Sequence, residues 1–235
     1  MIRTVEETTS TNEDMLVLAE SGEPEGLWLR ADTQIGGRGR MGRTWQSPIG
    51  NLYASTLVRV RPGDPAPATL ALVAAVAVHE ILCAYVADRF SVSIKWPNDL
   101  VSDGAKLAGI LLERSKDAIV IGIGVNLGFH PVGLDRPVTS LAALGLDAPD
   151  PHYFCEDLAR AFDRWLAEWR TRGLDSIREA WMRGGHPIGT ALRATLGDGA
   201  TVDGLFDGLD SDGALRLRLA DGSVRVIHAA DVFLI

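Results

Sequence analysis

The segment from residue 91 to residue 127 constrains the fold more than any other part of the sequence. It holds short apolar runs that are typical of strands, namely Ser91–Trp96, Asp99–Val101, Leu107–Glu113 and Ala118–Leu127. A proline ends the first run, and the turn pair Asp103-Gly104 precedes the third. Strands joined by such short connections form a meander. A meander favours an antiparallel or mixed sheet over a doubly wound parallel sheet.

Helices and further strands are predicted on both sides of this meander. Apolar spacing and capping residues predict helices at Glu13–Ser21, Thr69–Asp88, Asp150–Trp169 and Leu174–Arg183. Pro151 suits the first position of its helix. Two more strands are predicted near residues 27–33 and at Asn51–Val60. The fold class is therefore α+β, with a mixed or antiparallel sheet and helices.

The character of the sequence changes after Gly184-Gly185. Residues 189–235 contain short alternating strands separated by turn signals, at Asp198-Gly199, Ser211-Asp212-Gly213 and Asp221-Gly222. This spacing predicts a small β-barrel of about 50 residues. We therefore expect two domains, residues 1–184 and residues 185–235.

Charge and hydropathy argue against some classes of protein. The net charge is −8, whereas general binding to nucleic acid or to an anionic membrane needs a basic surface. The longest strongly apolar stretch, Leu70–Val78, is shorter than the roughly 20 residues of a membrane span. The N-terminus lacks a basic-then-apolar signal pattern. We expect a cytoplasmic protein that binds neither nucleic acid nor membrane, with thiols rather than a disulfide at Cys83 and Cys155.

The stretch "GRGRMG" at residues 37–42 satisfies the G-x-G-x-x-G pattern of a dinucleotide-binding turn. That pattern requires a helix directly after the glycines, and "RTWQSP" at residues 43–48 is typical of a loop. A different interpretation is a mobile loop that folds over an anionic ligand. Glycines would let it move, and Arg38, Arg40 and Arg43 would bind phosphate or carboxylate. A solvated basic turn is the alternative.

A second group of polar residues lies within the meander, in the stretch "KWPNDLVSDGAKLAGILLE". Lys106 opens an apolar strand that contains Gly109, and an interior strand glycine often marks the close approach of a ligand. Asn98 and Asp99 occupy a sharp turn, and Asn126 ends a neighbouring strand. The alternatives are an exposed lysine at a strand end and ordinary turn chemistry for the other three.

Taken together, four segments resemble the biotin protein ligase family: "TTSTN" at 8–12, "GRGRMGRTW" at 37–45, "KWPNDL" with "KLAGILLE" within 95–113, and "GIGVNL" at 122–127. The resemblance implies an α+β catalytic domain at residues 1–184 and a small SH3-like β-barrel at residues 185–235. Regulatory members of the family carry an N-terminal winged-helix DNA-binding domain. Nine residues precede Ser10, so we expect the form that lacks this domain.

The resemblance also implies a role for each matching residue. The biotin-binding residues would be Ser10, Thr11, Asn12, Gln34, Arg38, Gly39, Arg40, Lys106 and Gly109. The ATP-binding residues would be Arg40, Arg43, Trp45, Asn98, Asp99 and Asn126. Lys106 and Arg40 would act in catalysis, and no residue is assigned to a metal. Met41 departs from the pattern, because many relatives carry a basic residue there.

The activity implied by the resemblance is an ATP-dependent biotin–[biotin carboxyl carrier protein] ligase. It would form biotinyl-5'-AMP and transfer biotin to a lysine of the carrier domain of a biotin-dependent carboxylase. ATP and biotin would be substrates, with Mg²⁺ on the ATP. A homodimer is left open. The first alternative is a lipoate-type acyl-adenylate ligase, and the second is a binding protein or regulator without catalysis.

Overall fold

The computed structural model describes residues 1–87 and 89–235. Its first part is built on a seven-stranded sheet with the order β1-β2-β3-β7-β6-β5-β4. The strands are β1 (Ile2–Thr8), β2 (Trp28–Gln34), β3 (Leu52–Arg59), β4 (Val92–Lys95), β5 (Asp99–Ser102), β6 (Ala105–Ser115) and β7 (Ala118–Val125). Strands β1 and β2 run parallel, and every other neighbouring pair is antiparallel. The sheet is mixed, which confirms the predicted fold class.

Helices cover both faces of this sheet. They are α1 (Thr11–Glu20), α2 (Leu70–Val86), α3 (Pro151–Arg172) and α4 (Leu174–Gly184). Neighbouring residues of β3 belong to different apolar clusters: Val58 packs with α2 and α3, whereas Leu57 packs with α1. Because successive side chains of a strand point to opposite faces, α1 lies on one face and the α2–α3 pair on the other.

Two helix ends can be compared with their predictions. The carboxylate Oδ1 of Asp150 accepts a hydrogen bond of 2.7 Å from the backbone N–H of His152, which caps α3. This helix continues three residues beyond the predicted end at Trp169. Helix α2 ends at Val86, and the predicted end at Asp88 lies outside the described residues.

Within the described residues, one helical segment, Pro67–Val86, is long and apolar enough to cross a membrane by length and composition. It is longer than the strongly apolar stretch Leu70–Val78. The protein itself buries 61% of its apolar window, and Leu70, Val73 and Val78 are fully inaccessible to solvent. Helix α2 therefore has the burial of a core helix.

The C-terminal strands form a separate sheet. They are β8 (Ala191–Thr195), β9 (Thr201–Leu209), β10 (Leu215–Arg218), β11 (Val224–Ile227) and β12 (Asp231–Leu234). Their order is β11-β10-β9-β8-β12, with antiparallel pairing throughout. A small β-barrel was predicted for this region, and the structure shows an antiparallel C-terminal sheet. Strands β11 and β12 are its two edges, so strand pairing across the described residues does not close a barrel.

The two sheets share one apolar core. The rings of Trp181 on α4 and Phe206 on β9 lie 6.1 Å apart between centroids. The indole N–H of Trp96, which follows β4, donates a hydrogen bond of 3.1 Å to the carbonyl of Gly213. These contacts hold the C-terminal sheet against α4 and the end of β4. The boundary between residues 184 and 185, where α4 ends, stays our proposal for the domain division.

Candidate active site

A cavity of about 360 Å³ lies between the main sheet, the C-terminal strand β12 and the loop at residues 37–43, here called the arginine loop. Thirteen of the fourteen predicted site residues line it, namely Ser10, Thr11, Asn12, Gln34, Arg38, Gly39, Arg40, Arg43, Trp45, Asn98, Asp99, Lys106 and Gly109. Segments that are far apart in sequence therefore meet at one place. What each residue binds there stays a prediction.

The start of α1 buries three polar side chains at one end of the cavity. Ser10, Thr11 and Asn12 are only 3–4% exposed. The hydroxyl of Ser55, on β3, lies 2.8 Å from the Thr11 hydroxyl and 2.6 Å from the Asn12 Oδ1. Buried polar groups are stable only when they are hydrogen-bonded. This network therefore fixes the orientation of the Asn12 amide.

Two further hydrogen-bonding side chains complete the polar end of the cavity. Glu113 accepts a hydrogen bond of 2.8 Å from the Nδ2 of Asn12. The Oε1 of Gln34 accepts one of 2.9 Å from the backbone N–H of Thr11, and its Nε2 donates one of 2.9 Å to Ser47. Both ends of the Gln34 amide are thus held. The result is a rigid set of donors and acceptors, suited to a small polar ring.

Glycines of β6 and β7 form the floor of the cavity. Gly109 and Gly124 are directly paired across the two strands. A Cβ atom at Gly124 would lie 2.6 Å from the Trp45 indole, and one at Gly122 would lie 2.2 Å from the Asn12 Oδ1. Both distances are well inside van der Waals contact. The glycines therefore let other side chains, and a ligand, approach the sheet backbone closely.

We expect Gly124→Ala to displace the Trp45 ring and to weaken ligand binding. Overpacking of this kind costs about 1–3 kcal/mol. Thermal unfolding and binding titrations with biotin and with ATP would measure the effect. Gly197→Ala is the matched control, because nothing lies within 4 Å of a Cβ there and its φ is not positive. Ligand affinities equal to those of the parent chain would show that the floor does not need its glycine.

The arginine loop closes over the cavity, and acidic residues accompany its charges. On the side of the main sheet, Arg38 lies 3.4 Å from Glu113 and 3.3 Å from Glu13. Met41, at the tip of the loop, is 76% exposed and has a left-handed φ of 56°. The solvated basic turn is therefore an incomplete description, because the loop arginines have partners.

The other two arginines face the C-terminal sheet. The Nη1 of Arg40 donates a hydrogen bond of 3.0 Å to the Oδ1 of Asn98 and lies 3.8 Å from the carboxylate of Asp231. The guanidinium of Arg43 approaches the same carboxylate at 3.1 Å. The loop is thus held between the turn after β4 and strand β12.

Lys106 is the most buried cation of the cavity. It forms an ion pair with Asp99, and its Nζ lies 5.3 Å from the centroid of the Trp45 ring. Burial lowers the pKa of Lys106, and the neighbouring Asp99 carboxylate opposes that shift. A lysine in this setting has given up part of its hydration, so it interacts strongly with an incoming anion.

A second lysine stands close by. Lys95, at the end of β4, has its Nζ 5.3 Å from the ring centroid of Phe233 in the C-terminal strand. Burial lowers the pKa of Lys95, with Asp99 opposing and Arg136 adding to the shift. Lys95 and Lys106 thus line the same cavity as Arg40, Arg43 and Arg136. Such a group of cations is suited to a polyanion.

The two asparagines that were predicted to bind ATP have different places. The Nδ2 of Asn98 donates to the carbonyl of Ile110 at 2.7 Å, which leaves its Oδ1 to accept from Arg40. Asn126 is buried and does not line the cavity. Its Nδ2 donates to the carbonyl of Thr139 at 2.9 Å, which ties the loop after β7 to the sheet.

Two segments that carry no predicted site residue also line the cavity. Arg136 and Pro137 reach the cavity because the backbone N–H of Lys106 donates to the carbonyl of Pro137. Residues 231–234 line the cavity from the C-terminal sheet. Neither segment carries a sequence motif. Their charged residues, Arg136 and Asp231, indicate no site by themselves.

The combination of a basic loop, a buried lysine and a rigid polar end has a counterpart among known proteins. Residues 4–129 match the model of the biotin/lipoate A/B protein ligase family, and residues 188–235 match that of the biotin protein ligase C terminal domain. The fold and the site therefore define a protein of the biotin and lipoate ligase class.

Individual relatives narrow this class. A biotin–[acetyl-CoA-carboxylase] ligase of Paracoccus denitrificans is 40% identical and covers 96% of this chain and 97% of its own length. A protein of the same name from Mycobacterium tuberculosis is 35% identical, and the match covers 97% of this chain and 86% of that protein. Among solved structures, the fold is similar to that of the Aquifex aeolicus biotin protein ligase in complex with biotin and ATP. The TM-score is 0.87 at 26% identity, and the match covers 100% of this chain and 99% of that one. The chain belongs to the biotin protein ligase family, as the four motifs indicated.

Proposed function

We propose that the cavity beneath the arginine loop is where this ATP-dependent biotin ligase joins biotin to the adenylyl group of ATP. The observation that carries the proposal is the convergence of Lys106 and the loop arginines on a cavity with a buried polar end. The names of the relatives support biotin over the lipoate alternative.

The polar end is suited to the bicyclic head of biotin. Its ureido ring carries two N–H donors and one carbonyl acceptor, and it needs partners when it is buried. Thr11, Asn12 and Gln34 offer both hydroxyl and amide groups there. The glycine floor leaves room for the ring and the valeryl chain. Lipoate has no ureido ring, so the same buried groups would remain partly unpaired.

The chemistry of the first step explains the cations. A carboxylate oxygen of biotin attacks the α-phosphorus of ATP, the bond to the β-phosphate oxygen breaks, and pyrophosphate leaves. The carboxylate and the phosphate are both negative. Two like unit charges about 4 Å apart repel by about 1 kcal/mol in water and by about 4 kcal/mol at an effective dielectric constant near 20. Lys106 and Arg40 would offset this repulsion, so positioning and electrostatics replace a protein nucleophile.

The second step consumes the adenylate. The uncharged amine of a carrier lysine attacks the acyl carbon, an amide bond forms, and AMP leaves with the bonding electron pair. The lost amine proton passes to a base that the geometry does not single out. Acyl adenylates hydrolyse readily, so the closed loop would also exclude water.

The remaining cavity residues would hold the nucleotide. Arg43, Trp45, Asn98 and Asp99 stand on the side of the cationic cluster. The indole N–H of Trp45 is buried with no hydrogen-bond partner within the described residues, so a ligand acceptor would satisfy it. Mg²⁺ would enter with the phosphates of ATP and keep water ligands, since it rarely needs an all-protein cage. Residues 1–87 and 89–235 offer no cluster of three metal-ligating side chains.

The proposed protein partner is the biotin carrier domain of a carboxylase, in the cytoplasm. A net charge of −8 disfavours nucleic acid as an additional partner. Carrier recognition would take place at the open mouth of the cavity, where the carrier lysine must reach the adenylate.

The decisive experiment measures ATP-dependent transfer of biotin to a purified carrier domain, with pyrophosphate release followed in parallel. A carrier with its target lysine changed to arginine is the matched control. Thermal-shift titration with biotin and with lipoate tests which of these two carboxylic acids the protein binds. Stabilisation by lipoate alone, or absence of pyrophosphate with biotin and ATP, would contradict the proposed function.

A further inference from the structure

Strand β12 brings an acidic side chain to a cavity that we propose for anionic ligands. We infer that Asp231 is a positioning residue of the adenylation step, which holds Arg40 and Arg43 of the arginine loop in their working orientations. Its carboxylate lies 3.1 Å from Arg43 and 3.8 Å from Arg40. This inference rests on the function proposed above.

The contact joins two segments that are far apart in the sequence. Asp231 and Arg43 are 188 positions apart in sequence. Arg43 also braces the loop internally, because its backbone N–H and its Nε both donate to the carbonyl of Arg40 at 3.2 Å. The carbonyl of Arg43 accepts from Gly39 at 2.7 Å. Anchoring the Arg43 side chain therefore anchors the whole turn from Gly39 to Arg43.

Asp231 has no substitute in this role. Arg38 has its own acids, Glu13 and Glu113. Within residues 1–87 and 89–235, Asp231 is the only acid that forms an ion pair with Arg40 or Arg43. Without it, Arg40 would keep its hydrogen bond to Asn98 and Arg43 its bond to the Arg40 carbonyl, but the two neighbouring guanidinium groups would repel each other without an acid to balance them.

A carboxylate here cannot serve to attract the substrates. It repels both the biotin carboxylate and the phosphates, so its removal alone would make the cavity more attractive to them. Its benefit must come from geometry, since correctly oriented cations stabilise a transition state more than mobile cations do. The side chains of Arg40, Arg43 and Asp231 are 26%, 38% and 25% exposed. Such pairs add little to overall stability.

The expected signature is therefore a loss in kcat rather than in affinity. Asp231→Asn should lower kcat for pyrophosphate release by about three- to tenfold, the equivalent of one or two partly exposed charge-assisted contacts. The KM values for biotin and ATP should not rise. Asp231→Glu, which keeps the charge, should recover part of the loss. Asp203→Asn is the matched control, because Asp203 pairs with Arg193 on the same sheet and does not line the cavity.

A double-mutant cycle with Arg43→Gln tests whether Asp231 acts through that arginine. The double variant should be no slower than the slower of its two single variants. Fully additive losses would overturn the inference, and so would an unchanged kcat for Asp231→Asn. An increased kcat would overturn it as well, because it would show that the carboxylate only repels the substrates.

Limited trypsin digestion of the ligand-free protein tests the contact without relying on activity. Asp231→Asn should be cut faster after Arg40 and Arg43 than the parent chain or Asp203→Asn. Equal cleavage rates would overturn the inference. If the parent chain releases no pyrophosphate with biotin and ATP, the proposed function fails. The digestion then still decides whether Asp231 holds the loop.

Discussion

Replacing Lys106 with alanine is expected to slow pyrophosphate release by about a hundred- to a thousandfold, the usual loss when one positioned electrostatic group is removed from an active site. Lys106 is the most buried cation of the cavity and lies beside the Trp45 ring. Its charge would face the biotin carboxylate and the α-phosphate at the moment when they approach each other. Pre-steady-state measurement of pyrophosphate release separates this effect from transfer to the carrier.

The pH dependence provides a second measurement for the same residue. Burial lowers the pKa of Lys106 in the folded protein, so its charge is lost at a lower pH than that of an exposed lysine. If the charge is required, kcat/KM should fall as the pH rises through this lowered pKa. The free energy of unfolding should change in the opposite direction. Folding disfavours the protonated form of Lys106, and this destabilisation of the folded state disappears as the pH rises above the ordinary pKa of lysine. Lys106→Ala should lack the alkaline fall that Lys106 causes.

The control for this prediction must allow for Asp99. Alanine at position 106 leaves the Asp99 carboxylate, which is only 16% exposed, without its cation, and breaking a buried pair on one side is destabilising. The double variant Lys106→Ala with Asp99→Asn removes that unpaired charge. Lys116→Ala, at an exposed turn, controls for the loss of a surface lysine. Unchanged adenylation in a folded variant would remove Lys106 from the mechanism.

The sequence predicted those parts of the fold whose signals are local. The meander from β4 to β7 follows from alternating apolar residues and turn pairs. Strand β1 was missed because it is a polar edge strand with only Ile2, Val5 and Thr8 partly covered. Its parallel pairing with β2 depends on α1 crossing between them, and no local pattern encodes that connection. Strand β12 was missed because its residues, Asp231–Leu234, do not alternate between polar and apolar.

The same distinction holds for the site. Asn12, Arg40, Trp45 and Lys106 belong to segments with recognisable motifs, and the cavity brings them together. Ser55 appeared only as one residue of an alternating strand. It becomes part of the site because its hydroxyl lies beside Thr11 and Asn12 across the packing of α1 on β3.

Asp231 and Glu113 show the same limit for charged residues. Each is a single acid on a strand, and single acids are ordinarily solvated. Their importance arises from ion pairs that span 188 and 75 positions of sequence. Such distances are set by the sheet order and the docking of the C-terminal sheet. A sequence pattern of local spacing cannot contain them.

Replacing Arg40 with glycine is expected to release the adenylate from the enzyme. Arg40 occupies the middle of the closed loop, with its guanidinium directed to Asn98 and Asp231. Its loss would remove one charge-assisted contact to the ligand, worth about 1.5–3 kcal/mol. Adenylate escape should accelerate by about ten- to a hundredfold, at tenfold for each 1.4 kcal/mol. Glycine also increases the freedom of the open loop, which adds to the effect.

The consequence should be loss of carrier selectivity. Free biotinyl adenylate acylates any exposed amine, so an unrelated protein mixed with Arg40→Gly, biotin and ATP should become labelled. Arg61→Gly is the matched control, since Arg61 is an exposed loop arginine that pairs with Glu25 outside the cavity.

Limited trypsin digestion gives the companion measurement. Biotin with ATP should protect Arg38, Arg40 and Arg43 in the parent chain because their loop closes over the ligand. Equal cleavage with and without ligands, together with no bystander labelling by Arg40→Gly, would show that the loop does not retain the adenylate.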